Sequence, residues 1–168
     1  MFPLSRSVSV IMPAYNEGWC IYENIKTTRS VLAEAGISAG IVAVDDGSKD
    51  NTREEIERAA RDFEDVTAAR NPYNMGKGMA LRTGFECSTG EIVVFLDADL
   101  DLHPAQIQGL IETLESGPYD IVAGSKHHPE SKLDYPFSRT VASWGYYLFI
   151  KLLFGLPLRD TQTGLKVF

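Results

Sequence analysis

The sequence predicts an α/β fold in which helices cover both faces of a mainly parallel central sheet. Short runs rich in β-branched residues alternate with longer stretches of helical period, and each run ends in a cluster of polar residues. The chain has 168 residues, of which 44% are hydrophobic. That length can bury one sizeable core but is short for two ordinary domains. We therefore expect a single domain over residues 1–168.

The predicted strands and helices alternate along the chain, as is typical of βαβ units. Strands are expected at residues 7–12, 40–44, 66–69, 91–96 and 120–123. Helices are expected at residues 17–35, 52–63, 77–87 and 104–116. Asn51, followed three residues later by Glu54, resembles a capping box, and Pro104 suits the first turn of a helix.

The charge of the chain is acidic overall and unevenly distributed. The formal net charge is -7, with a balance of -10 over residues 1–123 and +3 over residues 124–168. An acidic body argues against a nucleic-acid partner. The basic end is expected to differ electrostatically from the body.

Hydropathy predicts no membrane-spanning helix. No stretch reaches the roughly 18 uncharged apolar residues that a spanning helix needs, and residues 1–6 do not resemble a secretory signal. We expect a cytosolic chain or a peripheral one on the cytoplasmic face of a membrane. The apolar stretch 144–154 lies within a helix expected at 139–156, which either lies in the membrane interface or packs in the core.

The polar clusters are expected to meet at one edge of the sheet. In an open parallel sheet, the carboxyl ends of the strands share the edge where ligands bind. The clusters occupy residues 13–17, 45–48, 70–78, 97–101 and 124–126. The chemistry of the protein is therefore predicted at this edge.

Two carboxylates follow the fourth predicted strand, at Asp97 and Asp99. Hard divalent cations such as Mg²⁺ and Mn²⁺ prefer carboxylate oxygen and complete their shell with water and phosphate. Asp101 adds a third carboxylate nearby. The same pattern also suits turn and capping residues ahead of the next helix, so the motif alone is compatible with both a metal site and a turn.

The cluster at residues 45–48 has two interpretations that stay open at this point. The carboxylates of Asp45 and Asp46 could accept hydrogen bonds from a nucleobase and a ribose. Alternatively, the cluster forms a turn from strand to loop, with Gly47 at positive φ. The residues themselves favour neither.

Two further clusters offer ligand contacts. Pro13 is expected to end the first strand, and Tyr15 offers a flat face to a base or sugar. Gly76 permits close approach of the backbone to a ligand, and Lys77 can meet a phosphate at a helix start. Lys77 could also be a solvated lysine of a first helical turn.

In this order and spacing, the clusters 13–17, 45–48, 74–77 and 97–99 resemble the family 2 glycosyltransferases, which have the Rossmann-like GT-A fold. The resemblance implies a metal-dependent, inverting hexosyltransferase that uses a nucleotide-sugar donor with Mg²⁺ or Mn²⁺. It implies that Glu17 and Asp46 contact base and ribose, with Pro13, Tyr15, Gly76 and Lys77 in the same donor site. Asp97 and Asp99 would hold the metal and the diphosphate, and Asp101 stands where relatives often carry a glutamine.

A second set of motifs, at residues 124–126, 137–139 and 160–166, resembles the dolichyl-phosphate mannose and glucose synthase branch. The branch implies GDP-mannose or UDP-glucose as donor, a polyprenyl phosphate as acceptor and a membrane surface as partner. Lys126 and Arg139 would meet the acceptor phosphate as catalytic cations. Two features depart from the branch: relatives commonly have arginine at position 126, and they often continue beyond Phe168. We therefore expect a catalytic domain truncated at its C-terminal end.

Three alternatives remain open from the sequence. A family 2 glycosyltransferase could act on a hydroxyl acceptor of a glycan or lipid. A phosphatase with a D-x-D motif would require glycine where Leu100 stands. A receiver-like signalling domain would use Asp45, Asp46 and Asp97, but it leaves the clusters 13–17 and 74–77 unexplained.

Overall fold

The computed structural model describes residues 6–124 and 164–168. The strands are β1 (Val8–Ala14), β2 (Ala39–Asp45), β3 (Val66–Arg70), β4 (Ile92–Phe95), β5 (Val122–Ala123) and β6 (Lys166–Val167). The helices are α1 (Ile21–Glu34), α2 (Thr52–Asp62), α3 (Lys77–Cys87) and α4 (Gln106–Ser116).

The strands form one sheet in the order β3-β2-β1-β4-β6-β5. β1 pairs in parallel with both β2 and β4, and β2 pairs in parallel with β3. The short β6 is antiparallel to β4. The predicted α/β fold with a mainly parallel sheet is thus confirmed, and the carboxyl ends of the four parallel strands point to one edge.

The alternation of side chains along β1 supplies both faces of the core. Val10 and Met12 belong to the larger apolar cluster, together with buried residues of α1, α2 and α4. Ile11 points to the other face, where it packs with Val42 of β2 and Ala80 of α3. Because successive residues of a strand face opposite sides, helices are held on both faces, as predicted.

Two helix starts differ from the prediction. The first helix begins at Ile21 rather than at residue 17, because the start of α2 binds the backbone of the preceding residues. Thr52 Oγ1 accepts from the N–H of Glu17, and the carboxylate of Asp50 accepts from the N–H of Gly18. Pro104 lies in a turn just before α4, which begins at Gln106.

The predicted capping box at Asn51 is wrong in its chemistry. Asn51 occupies the N-cap position of α2, but its side chain makes no capping hydrogen bond. The carboxylate of Asp50 instead accepts a hydrogen bond of 3.0 Å from the backbone N–H of Thr52. The helix start is therefore satisfied from one residue further upstream.

Pro13 does not end β1, in contrast to the prediction. The ladder with β2 continues through Pro13 to the pair Ala14 and Asp45, whereas the ladder with β4 ends at Ile11. Pro13 thus lies beyond the β4 ladder, where the missing N–H of proline costs no pairing on that side.

Contacts divide the chain into two units, residues 1–122 with 164–168, and residues 123–163. The described residues of the first unit include all four helices and most of the sheet given above. The expected helix at 139–156 falls outside the described residues, and the single domain over 1–168 stays a prediction. Within residues 6–124 and 164–168, no helix is long and apolar enough to cross a membrane.

Candidate active site

A cleft of about 330 Å³ opens where β1, β2 and β4 end. Its wall is formed by Pro13, Ala14, Tyr15, Glu17, Asp46, Asn74, Gly76, Lys77, Ala80, Asp97, Ala98 and Asp99. The cleft therefore brings together the predicted donor residues and two of the three predicted metal ligands. Asp101 is exposed and does not line it. Lys126 and Arg139 lie outside the described residues.

Asp46 is buried at the base of the cleft and holds the loop between β3 and α3. Its exposed fraction is only 3%. Its carboxylate accepts hydrogen bonds from the backbone N–H of Met75 at 3.1 Å and of Gly76 at 2.8 Å. A third hydrogen bond, of 2.7 Å, comes from the side-chain amide of Asn71. Asp46 thus fixes the backbone that leads into Lys77.

Asn71 is a residue of this site that the sequence reasoning did not single out. Its side-chain oxygen accepts a hydrogen bond of 2.7 Å from Thr83 on α3, and its backbone N–H donates to Asp45. A buried amide that is satisfied on both ends is held in one orientation. The signal in the sequence was a polar residue directly after a strand, but its partners could not be identified there.

Asp45 and Gly47 follow the turn interpretation of their cluster. Asp45 is 1% exposed, and its Oδ1 accepts from the backbone N–H of Ser48 at 2.9 Å. Its Oδ2 lies 3.3 Å from Nε of Arg70 but has no aligned hydrogen bond among the described residues. Gly47 has φ 67°, and a Cβ there would overlap the backbone of Tyr73. This turn requires glycine.

The loop after β1 is tied to the loop after β2 by side-chain hydrogen bonds. Asn16, at φ 57°, donates its N–H to Ser48 Oγ and accepts from the N–H of Lys49, both at 2.9 Å.

Burial alone would raise the pKa of Asp50, but hydrogen bonds from Thr52 and Gly18 outweigh it and hold that pKa below its ordinary value. A charged Asp50 therefore helps to shape the wall that carries Tyr15 and Glu17.

Glu17 is accompanied by a buried thiol. Sγ of Cys20 lies 3.4 Å from Oε2 of Glu17. Burial, then the hydrogen bond to Glu17 and its charge, raise the pKa of Cys20 from 9.0 to about 11. The thiol is therefore neutral near pH 7 and donates to Glu17, which restricts this carboxylate in the cleft wall.

A tight turn carries Asp97 and Asp99. The side-chain amide of Asn24 on α1 donates a hydrogen bond of 2.8 Å to the carbonyl of Ala98. Leu100 has φ 53°, and Asp99 Oδ1 accepts from the N–H of Asp101 at 3.1 Å. The turn is thereby held to α1, while the Asp99 side chain is left exposed at the cleft.

The carboxylate of Asp97 lies between a lysine and a glycine. Nζ of Lys77 is 2.5 Å from Asp97 Oδ1. On the other side lies Gly164. A Cβ at this position would overlap the Asp97 carboxylate, because it would lie 3.0 Å from Oδ1 and closer still to Oδ2. Gly164 comes just before β6, so the antiparallel pairing with β4 brings it to the cleft.

The donor set of the cleft suits a hard divalent cation that shares its shell with a ligand. Asp97 and Asp99 offer carboxylate oxygen, and Mg²⁺ is usually bound by one or two carboxylates plus phosphate and water. Among the described residues, no group of three histidine, cysteine or acidic side chains could enclose a metal.

Known proteins resemble this chain along most of its length. Glycosyltransferase AglD of Haloferax volcanii is 33% identical over 164 residues, which cover 96% of this chain and 26% of the relative. A dolichyl-phosphate beta-glucosyltransferase of Trichomonas vaginalis is 32% identical, covering 99% and 54%. An undecaprenyl-phosphate 4-deoxy-4-formamido-L-arabinose transferase of Pseudomonas aeruginosa is 41% identical, covering 68% and 34%. The chain thus spans between about a quarter and about half of these relatives.

Solved structures share the fold. A mannosyltransferase from Pyrobaculum calidifontis, in complex with GDP-Man and Mn²⁺, has a TM-score of 0.66 and 23% identity, covering 97% of this chain and 44% of its own. Glucosyl-3-phosphoglycerate synthase from Mycobacterium tuberculosis, with Mn²⁺, UDP-glucose and phosphoglyceric acid, has a TM-score of 0.69 and 23% identity, covering 97% and 56%.

Residues 9–164 match the family profile described as Glycosyl transferase family 2, which is nearly the whole chain. The relatives at 33% and 32% identity cover almost all of it as well. The resemblance drawn from the four sequence motifs is thereby confirmed, and this chain belongs to glycosyl transferase family 2.

Proposed function

We propose that this domain transfers a hexose from a nucleoside-diphosphate sugar to a polyprenyl phosphate, with inversion at the anomeric carbon. The observation that carries the proposal is the cleft itself, where the carboxylates of Asp97 and Asp99 and the ammonium of Lys77 converge beside Tyr15. Family membership argues against the phosphatase and the receiver-like domain.

The donor would lie with its base against the β1 and β2 loops. We assign Tyr15 and Pro13 to the flat faces of base and sugar, and Glu17 and Asp46 to their polar edges. A carboxylate has about four acceptor positions, and Asp46 already uses three on its own chain. Asp46 can therefore accept one ligand donor while it holds the Gly76 loop in place.

The diphosphate would lie between the turn at Asp97 and the start of α3. We assign Asp97 and Asp99 as the direct ligands of Mg²⁺ or Mn²⁺, which would offset the charge that builds on the diphosphate oxygens as the bond to sugar breaks. Asp101 receives an outer position, because it does not line the cleft. The positive end of α3 and Lys77 favour the same anion.

The acceptor is proposed from two lines of support. The relatives from Trichomonas vaginalis and Pseudomonas aeruginosa carry polyprenyl phosphates in their names, and the motifs at Lys126 and Arg139 resemble that branch. A monoalkyl phosphate has its second pKa near about 6, so its oxygen can attack the anomeric carbon without a base. Attack opposite the leaving diphosphate inverts the configuration, and the bonding electron pair leaves with the diphosphate.

The membrane surface is part of the same proposal. The apolar stretch within residues 139–156 would lie in the interface, so that the polyprenyl chain stays in the lipid while its phosphate reaches Lys126 and Arg139. The proposal therefore includes a peripheral position on the cytoplasmic face of a membrane. Transfer to a hydroxyl of a glycan or lipid is the competing outcome.

Calorimetry followed by a transfer assay tests the proposal. GDP and UDP are titrated separately into the whole chain with Mn²⁺, and the nucleotide that binds selects GDP-mannose or UDP-glucose for transfer to a short polyprenyl phosphate. A polyprenyl-phosphate sugar is the expected product. Failure of both nucleotides to bind would reject the donor, and transfer only to hydroxyl acceptors would reject the polyprenyl phosphate.

A further inference from the structure

We propose that Lys77 changes its ion-pair partner when donor and metal bind. In the donor-free protein its ammonium pairs with the carboxylate of Asp97. When a divalent cation binds Asp97, the ammonium of Lys77 moves to the diphosphate of the donor. The inference rests on the proposed function and adds an order to it, because it makes metal and donor binding depend on each other.

The contact that carries this inference is an ion pair inside the cleft. Nζ of Lys77 lies 2.5 Å from Oδ1 of Asp97, and both residues line the cleft wall. The same carboxylate is a proposed ligand of the metal. Two cations therefore compete for Asp97, and the divalent one cannot bind it fully until the ammonium has left.

Exchange by the lysine is feasible because the pair is open to solvent. The side chain of Lys77 is 51% exposed and that of Asp97 is 32% exposed. Ion pairs at such exposure are weak, since water screens them. Lysine is also a point charge on a flexible stem, so its ammonium can reach a new anion without movement of the helix.

Asp97, in contrast, is blocked on one side of its carboxylate. The backbone of Gly164 packs so closely against its carboxylate that a Cβ would overlap it. The backbone next to the lysine is not crowded in this way: a Cβ at Gly76 or at Gly78, which flank Lys77, would meet no atom within 4 Å. The carboxylate is blocked on the Gly164 side, whereas the lysine side chain is the more exposed of the two, so we take the lysine as the partner that moves.

The consequence is a thermodynamic coupling between the metal and the diphosphate. Metal alone must displace Lys77 and leave its charge without a partner, whereas the diphosphate offers the ammonium a new anion. If nucleotide raises the affinity for metal, metal raises the affinity for nucleotide by the same factor. The ion pair thereby discourages metal binding in the absence of donor.

The substitution Lys77→Met tests the exchange, because it removes the charge and keeps a similar length. Free Mn²⁺ is measured by electron paramagnetic resonance, first without nucleotide. We expect the affinity of the donor-free protein for Mn²⁺ to rise by up to about fivefold, which is the upper limit for an exposed ion pair and the low end of typical coupling between linked sites. The affinity for GDP or UDP in the presence of Mn²⁺ should fall.

Three controls separate the exchange from a simple phosphate contact. Lys26→Met removes an exposed lysine of α1 that pairs with Glu23, and it should change neither affinity. Lys77→Arg retains the charge and should keep the weak Mn²⁺ binding of the donor-free protein. In an Asp97→Asn background, Lys77→Met should no longer raise the Mn²⁺ affinity, as a double-mutant cycle requires.

The outcomes distinguish this inference from the function beneath it. A Lys77→Met protein with unchanged or lower Mn²⁺ affinity, but weaker nucleotide binding, overturns the exchange and leaves the proposed function standing. Absence of Mn²⁺-dependent nucleotide binding in the unmodified protein overturns the proposed function itself. Opposite changes in the two affinities support the exchange.

Discussion

The side-chain amide of Asn71 donates a hydrogen bond of 2.7 Å to the carboxylate of Asp46, and both residues are 3% exposed. The pair links the ends of β2 and β3 beneath the cleft, and Thr83 on α3 completes it from the other side of the amide. One carboxylate thus joins the sheet edge to the loop that leads into Lys77. The site is built on this buried network rather than on exposed loop residues alone.

Substitution of Asn71 should weaken both the fold and the donor site. Asn71→Ala removes a hydrogen bond to a buried charge, which costs about 1.5–3 kcal/mol of unfolding free energy. Nucleotide affinity should fall as well, because the Gly76 loop loses its support. Urea unfolding and calorimetry with GDP or UDP and Mn²⁺ measure the two effects.

A milder variant is the control for Asn71. Thr83→Val keeps the shape and removes only the hydroxyl that donates to Asn71, at a cost of about 0.5–1.5 kcal/mol. Nucleotide affinity should change less than in Asn71→Ala. Equal stability of the unmodified protein and Asn71→Ala would mean that the network contributes nothing.

Replacement of Asp99 should remove the metal-dependent part of nucleotide binding and leave the fold intact. The side chain of Asp99 is exposed, and its Oδ1 accepts a hydrogen bond from the backbone N–H of Asp101. Exposed carboxylates of this kind change stability by no more than about 0.5 kcal/mol. Asp99→Ala is therefore expected to keep the unfolding free energy of the unmodified protein. It should bind GDP or UDP equally with and without Mn²⁺.

The matched control is Asp101→Ala, in the same turn but outside the cleft wall. It should retain most of the Mn²⁺ dependence that calorimetry finds in the unmodified protein. If Asp101→Ala loses that dependence and Asp99→Ala keeps it, the assignment of the two carboxylates is reversed.

The thiol of Cys20 gives a prediction for alkaline pH. Its folded-state pKa is raised from 9.0 to about 11, so its contribution to stability is present below pH 9 and is lost as the pH rises towards 11. Cys87 is exposed and should react first with iodoacetamide at pH 8. Mass spectrometry of peptides after timed alkylation compares the two rates, and faster labelling of Cys20 would contradict its burial beside Glu17.

The sequence predicted the sheet well, and it predicted that the polar clusters meet at one edge of that sheet, because both depend on local patterns. Apolar runs marked β1 to β4, and the predicted bounds of α3 agree with the structure. The predicted start of α1 was wrong, since the backbone of Glu17 and Gly18 is bound by side chains at the start of α2 and just before it. Such contacts join residues more than thirty positions apart, and periodicity contains no information about them.

The role of Gly164 was hidden for the same reason. Its motif was recognised from resemblance, but its position depends on the antiparallel pairing of β6 with β4. A two-residue strand has too little pattern to be predicted from sequence. Only the fold shows that position 164 must lack a side chain so that Asp97 can keep its place.

Gly164→Ala is therefore expected to impair the metal site more than its small size suggests. The new methyl group would overlap the Asp97 carboxylate, so Asp97 must turn away from the position it shares with Lys77. Mn²⁺-dependent nucleotide affinity should fall by about tenfold or more, which corresponds to roughly 1.4 kcal/mol. Gly109→Ala is the control, because a Cβ at this exposed position of α4 meets no atom within 4 Å. It should leave nucleotide affinity unchanged and stabilise the helix by about 0.5–1 kcal/mol. Calorimetry of both variants decides the matter: equal nucleotide affinity in Gly164→Ala and Gly109→Ala would show that Asp97 tolerates displacement and does not bind the metal directly.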